Sequence, residues 1–379
     1  MKKQMTSDIA SAHTKEREPT AVVDALCHQT EVRDPVCVLF FASPNHDGGA
    51  IGAGLKTRFP TAAVVGCTTA GELTQAVSAL DGVSMMVLGR GKVRRAAAAL
   101  AEFGSDPREG VQQALGSIAS RLEIDLRTAD PARYVGVILV EGLRGKEEAA
   151  NAALGDAAPM LSFVGGSAGD NGAFKQTRVY VNGQVSDDGA ALLLLDMAVP
   201  FVVGKTCSFE PVGAPHVVTR VGNTNRTLVE LDGRPVLEVY AEAVGCQKHE
   251  LNADVFMTNP LGVMIEGKPW IRSPQVVLAD GGLRFYCELV EGSPIHVMRS
   301  TDLVGDTRRE LKRVRETLGG QLSGGLAFNC ILRRLELDAK QQHEAFLEAF
   351  EGLEVAGFHT YGESWLGHIN QTLTGLWFA

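Results

Sequence analysis

Gly66-Cys67-Thr68-Thr69-Ala70-Gly71-Glu72 follows an apolar run at residues 62–65. The same G-x-x-T-x-G-E form returns as Gly357-Phe358-His359-Thr360-Tyr361-Gly362-Glu363, after Val355-Ala356. A version one residue shorter, Gly165-Gly166-Ser167-Ala168-Gly169-Asp170, follows residues 161–164. Each time an apolar strand runs into glycines, a hydroxyl or small residue, and then an acid. Glycine at such a place permits positive φ and close backbone approach.

The preceding sequence repeats as well. Apolar runs at 36–41, 134–140 and 326–332 are followed by a Gly/Ala-rich segment (48–59), a helical stretch (146–156) and a patterned helix (339–350). Strand, helix, strand is the signature of a βαβ unit with a parallel pair. The chain therefore reads as three related units in a mixed α/β (α+β) architecture, with mixed sheets flanked by helices. In open parallel sheets, ligands bind beyond the carboxyl ends of the strands. The three loops stand at such ends and are the expected pocket wall.

Around these units, residues 1–20 read as a polar, flexible tail, and 21–28 as a short helix. Residues 83–88 and 96–100 read as strands, and 107–123 as a helix. A hairpin is expected at 175–185 around Asn182-Gly183, with residues 190–195 as its second arm. Leu231-Asp232-Gly233-Arg234-Pro235 is a turn opening a helix at 236–243, and marks a boundary between a domain at 21–235 and another at 236–379. Short alternating runs between 256 and 298 read as an antiparallel meander. A helix at 301–318 and a strand at 371–378 complete the chain.

Composition excludes several functions. The 379 residues are 45% hydrophobic and 21% charged, with a formal charge of −9. That charge argues against nonspecific nucleic-acid binding. No stretch reads as a membrane span and none as a secretory signal. Seven cysteines without framework spacing fit a reducing cytoplasm. No H-E-x-x-H, C-x-x-C or C-x-x-C-H occurs, so neither a zinc site nor covalently attached haem is expected.

Two motifs read as coincidences. Gly165-Gly166-Ser167-Ala168-Gly169 matches the nucleophile elbow, but a β-rich stretch follows where that motif needs a helix. Gly142-Leu143-Arg144-Gly145-Lys146 lacks the spacing and hydroxyl of a phosphate loop. Cys330, three residues before Arg333 at a strand end, is a candidate reactive thiol if the guanidinium lowers its pKa; the alternative is a buried small hydrophobe. Of nine histidines, His46 follows the first strand, His359 lies inside the third loop, and His368 lies just beyond it.

The order of these segments resembles the FIST family of sensory domains, in its two-part arrangement of N-terminal and C-terminal FIST domains. The resemblance rests on residues 65–72, 163–171, Val179-Tyr180-Val181-Asn182-Gly183, 231–235, Pro260-Leu261-Gly262-Val263, Ile271-Arg272, Cys330 with Arg333, and Thr360-Tyr361-Gly362-Glu363. One departure is Asn259-Pro260-Leu261-Gly262, where many members carry histidine in place of Asn259. The resemblance implies sensing rather than catalysis: a cytoplasmic receptor for a small ligand that signals to a kinase, cyclase or chemotaxis component. One standalone branch, the NosP proteins, binds haem, senses nitric oxide and controls a histidine kinase.

On that resemblance the first expectation is a sensor of nitric oxide through haem b, held by His368, with His359, His249 and His296 as reserves. Its partner would be a sensor histidine kinase or a cyclic-di-nucleotide signalling enzyme, with no nucleic acid and no membrane; the oligomeric state stays open, a homo-oligomer included. The second is a receptor for an amino acid or similar metabolite. Arg272 and Arg333 would then hold a carboxylate and Glu72, Asp170 or Glu363 an amine, with Cys67, Thr69, Asn171, Cys330 and Thr360 on the same strand ends. The competing reading makes the acids turn residues that cap backbone N–H groups. The third, an enzyme using Cys330 or Ser167, lacks a neighbouring base.

Overall fold

A computed structural model of the protein describes residues 7–379. Three units follow one another with the same order of elements. The first comprises β1 (Ile9–Thr14), α1 (Pro19–Gln29), β2 (Pro35–Ala42), α2 (Gly48–Arg58), β3 (Ala63–Thr68), the hairpin β4 (Glu72–Thr74) and β5 (Ser78–Ala79), and β6 (Val83–Gly89). The second comprises β7 (Val93–Glu102), α3 (Pro107–Leu122), β8 (Tyr134–Val140), α4 (Glu147–Ala157), β9 (Ser162–Ser167), the hairpin β10 (Val179–Val181) and β11 (Gln184–Ser186), and β12 (Gly189–Met197).

The third unit begins with β13 (Phe201–Cys207) and is then interrupted by an inserted lobe. The lobe holds β14 (Phe209–Val221), β15 (Thr227–Leu231), β16 (Arg234–Pro235), α5 (Val236–Val244), α6 (Ala253–Thr258), β17 (Leu261–Ile265), β18 (Lys268–Arg272), β19 (Pro274–Val277), β20 (Leu283–Phe285) and β21 (Pro294–Ser300). The unit resumes with α7 (Leu303–Thr317), β22 (Gly324–Cys330), α8 (Ile331–Lys340), α9 (His343–Leu347), β23 (Glu354–Thr360), the hairpin β24 (Glu363–Trp365) and β25 (His368–Ile369), and β26 (Thr372–Phe378).

Each unit builds one sheet around a parallel pair: β2 with β3, β8 with β9, and β22 with β23. Each exports its hairpin to another unit. The strand β4 adds to β23, β10 to β3, and β24 to β9, so the exchange closes in a ring. The three sheets share one apolar core, where Phe41 meets Phe358 at 4.9 Å and Phe328 at 6.2 Å. Separate apolar layers join the helices to the outer faces.

The repeated first glycine has a steric cause. A Cβ at Gly66 would lie 2.4 Å from the Phe40 carbonyl oxygen, at Gly165 1.8 Å from that of Ile138, and at Gly357 1.7 Å from that of Ala327. These glycines let the parallel partner approach; it is Gly71, at φ +120°, that meets the positive-φ expectation. The loops then bolt to one another. Gly169 N–H donates to Thr68 O (3.0 Å), Ala70 N–H to His359 O (2.9 Å) and Tyr361 N–H to Ser167 O (3.1 Å).

Several expected boundaries change. Residues 9–14 of the expected tail form β1, which pairs antiparallel with β6 in the register Ile9↔Leu88; residues 1–6 of it lie outside the described residues. The Asn182-Gly183 hairpin closes on β11, and residues 189–197 instead form a central strand between β8 and β7. Residues 253–258 are helical because the Asn252 side chain caps Asp254 N and Val255 N. The helix expected at 339–350 is divided: α9 and a 3-10 turn at Glu348–Phe350 occupy most of its span, and a further helix, α8, precedes it from Ile331 to Lys340, closed by Gln341 in the left-handed conformation (φ 52°). The turn expected at 231–235 does open a helix, α5, directly after β16.

Candidate functional site

The three acids sit at the hub, and each ties its loop to neighbouring backbone. Glu72 accepts hydrogen bonds from Thr69 Oγ1 (2.6 Å) and Gly82 N (2.8 Å), just ahead of β6. Glu363 accepts from Thr360 Oγ1 (2.5 Å), Thr372 N (3.0 Å) and Thr372 Oγ1 (2.7 Å), at the start of β26. Asp170 accepts from the backbone N–H groups of Phe174 (2.8 Å), Lys175 (2.6 Å) and Gln176 (2.9 Å), and from the Tyr361 hydroxyl. Burial pushes Glu72 and Glu363 up to about 7, against the pull of these donors. The geometry is that of the turn-capping alternative.

The other strand-end residues are similarly committed. Cys67 lies wholly within the shared core and burial pushes its thiol well up. Burial also raises the Cys330 thiol, with the Glu363 charge adding to it, in place of the lowering expected from Arg333. The Arg333 guanidinium is instead engaged by Asn329 Oδ1 (2.9 Å), Ser208 Oγ (3.2 Å) and Thr307 Oγ1 (3.0 Å). That buried cation bolts the neck of the inserted lobe, where Thr301 N–H donates to Ser208 O (2.9 Å).

The largely apolar opening is elsewhere. A cleft of about 680 Å³ separates α4 and the β24–β25 hairpin from the inserted lobe. Phe163 and Leu161 line the core side, Trp270, Ile265 and Val290 the lobe side, and Leu366 and His368 the hairpin. Leu366 is 69% exposed and occupies the left-handed conformation (φ 51°), where the equivalent hairpin carries Asn182. A branched apolar side chain there is costly, and this one stands on the cleft's rim.

His368 is the cleft's distinctive group. It is 5% exposed, and neither ring nitrogen has a hydrogen-bond partner among the described residues. Its ring packs on Gly362, where a Cβ would lie 2.2 Å from Cε1. Asn370, buried close by, also leaves its amide unpartnered. Buried polar groups are otherwise almost always paired, so this pair points to something the chain does not itself supply. Glu148 faces the same space. Burial pushes its carboxyl up, but the His368 and Arg226 charges, with hydrogen bonds from Arg226 and Glu288 N, outweigh burial and hold it low.

The reserve histidines are placed differently. His359 is fully buried, with Nε2 on Ser78 Oγ (2.9 Å) and Nδ1 on Asn329 Nδ2 (2.9 Å). His249 is exposed on a short turn of helix, and His296 lies on β21 within the lobe's sheet. Arg272 lines the cleft and makes no ion pair among the described residues; its Nη1 reaches only Ile271 O (3.2 Å). Thr69 and Thr360 are occupied by the acids, and Asn171 lies in a separate polar cleft. Among the described residues, no group of three or more His, Cys, Asp or Glu side chains is arranged to hold a metal ion.

The lobe is docked across this cleft by side chains scattered in sequence. Arg226 bonds Glu147 (2.7 Å) and Glu148. Ser273 Oγ donates to Gln371 Oε1 (2.7 Å), and Gln371 Nε2 to Met257 O (2.8 Å). Lys205 Nζ lies 4.4 Å from the Trp270 ring centre and 4.9 Å from that of Trp365, an aromatic clamp between lobe and core. Sequence reasoning missed Glu148, Arg226, Lys205 and Asn370. Asn370 was signalled by its place in His-x-Asn-Gln-Thr; the others carry no local motif.

Residues 36–234 match the FIST N domain and residues 237–365 the FIST C domain. The search among curated proteins returned no match. Among the described residues, no helix is long and apolar enough to cross a membrane.

Proposed function

Because the chain belongs to the FIST family, whose domains are small-ligand sensory modules of signalling proteins, we propose that it is a sensor whose ligand occupies the cleft between core and lobe. The reading we favour is a haem-based nitric oxide sensor in which His368 would hold the haem. The observation that carries it is a buried imidazole with two free ring nitrogens at a largely apolar cleft. Haem, when bound, supplies an iron with one face open to a diatomic gas.

The chain's own residues do the rest. His368 turns away from Gly362 to present a nitrogen, and no hydrogen bond opposes that rotation. His359 would have to break two. Phe163, Trp270 and Leu366 exclude water, and Arg272 is placed to meet an acidic edge. The responding element is the lobe, since its docking contacts border the cleft. A ligand that favours one seating of the lobe shifts its population, and a partner histidine kinase or cyclic-di-nucleotide enzyme reads that seating.

The test is a visible spectrum during haemin titration. A sharp one-to-one Soret band that shifts on reduction and again with nitric oxide, and is lost in His368→Ala while thermal stability is kept, is the expected result. A broad band unchanged in His368→Ala overturns the reading. A second reading, a receptor for an amino acid or similar metabolite, draws on the unpaired Arg272 in the same cleft. It predicts a thermal shift with an amino acid that Arg272→Ala abolishes.

A further inference from the structure

A second cleft, of about 430 Å³, lies beyond the carboxyl ends of β2 and β3, where the loop after β9 crosses the first unit. We propose that it binds a small organic acid carrying a hydroxyl group, independently of the lobe cleft. Strand ends of this kind are where α/β sheets hold ligands. In this unit the end is open and lined by polar side chains. In the second, Glu141 fills the turn by accepting from Leu143 N (2.8 Å), Arg144 N (2.9 Å) and Thr177 Oγ1 (2.5 Å). In the third, α8 starts immediately after β22.

Two side chains in this cleft each carry one buried polar atom without a partner among the described residues. His46 is 6% exposed; its Nδ1 is unpartnered, and its Nε2 makes one long contact, 3.4 Å, to Asp81 O. Asn171, held in the left-handed conformation (φ 57°), spends its Nδ2 on Ser43 Oγ (3.2 Å) and leaves Oδ1 buried and unpartnered. An amide oxygen is an acceptor, so it calls for a donor on the ligand. Lys175 and Arg178 stand on the same wall; Arg178 Nη2 donates to Gln176 Oε1 (2.9 Å), and neither cation forms an ion pair among the described residues. The neighbouring Asp170 carboxylate is already occupied by its four donors. Two unpaired cations call for a carboxylate, and the buried acceptor calls for a hydroxyl beside it.

L-malate and succinate differ by that hydroxyl and are the probes. Isothermal titration of the full chain at matched ionic strength is expected to show malate binding one-to-one, roughly threefold or more tighter than succinate, the factor that one net hydrogen bond contributes. Lys175→Ala/Arg178→Ala, at exposed positions, is expected to abolish binding of both. Asn171→Gly keeps the left-handed backbone and is expected to erase the preference while leaving the weaker binding. His368→Ala is expected to change neither, which separates failure here from failure of the haem reading. Equal binding of malate, succinate and inorganic phosphate, or binding that survives Lys175→Ala/Arg178→Ala, overturns the proposal.

Discussion

Replacing Glu72 and Glu363 together by glutamine is expected to flatten the stability profile of this protein between pH 4.5 and 7. Both carboxyls are buried at the hub, and burial moves each from an ordinary 4.5 up to about 7. Across that window the folded state holds protons that the unfolded chain has released. The contribution of these two carboxyls is therefore fully present below pH 4.5 and is lost as pH rises towards 7, because proton release from the folded state lags. A gap of about 2.5 corresponds to about 3 kcal/mol per carboxyl, so the pair accounts for a loss comparable with the whole stability of many domains.

Buried histidines oppose this trend below pH 6.5. His359, held well below its ordinary value chiefly by burial, gives stability that rises with pH over part of the same range. That contribution is common to both proteins and cancels in their difference. Glutamine also loses an acceptor: at Glu363 an amide nitrogen would meet either Thr360 Oγ1 or the Thr372 donors. That costs about 1–3 kcal/mol per site, independent of pH. The quantity to read is therefore the difference in slope. Urea unfolding followed by tryptophan fluorescence at half-unit steps from pH 4 to 8 measures it. Parallel profiles for the wild type and Glu72→Gln/Glu363→Gln would refute the reasoning.

Two further perturbations probe the neck and the parallel pairs. Arg333→Met leaves Asn329, Ser208 and Thr307 without their shared donor and is expected to cost about 1–3 kcal/mol, the cost of buried acceptors left unsatisfied, read by urea unfolding, with faster proteolysis at the neck. Gly357→Ala places a Cβ 1.7 Å from Ala327 O and must push β22 from β23, whereas Gly116→Ala, in α3 with nothing within 4 Å, meets open space. The first is expected to lower the melting temperature sharply; the second to stabilise by about 1 kcal/mol.

The hub was legible because its requirements are local. Gly66, Gly165 and Gly357 recur because a parallel strand allows no Cβ there, and Glu72 and Glu363 recur at a spacing set by one turn of backbone. The continuous apolar runs of the parallel pairs marked their strands without reference to anything distant. The helix directly after β22, α8, was not expected because Ile331 and Leu332 extend the apolar run of the strand into its first turn, and its cap, Gln341, is not a residue type that announces a helix end.

The residues alone carry the three repeated units, their parallel pairs, the loop glycines and acids, and the net negative charge. The tertiary structure alone decided that each hairpin leaves its own unit for another's sheet, since strand exchange depends on which edge is free once three sheets share a core. It also decided that the acids are braces rather than ligands' partners, because their donors, Gly82 and Thr372, come from the strands that return to each sheet. Both clefts exist for the same reason. His368 meets Arg272 and Trp270, and His46 meets Asn171 and Arg178, across chain separations of about a hundred residues that no local pattern records.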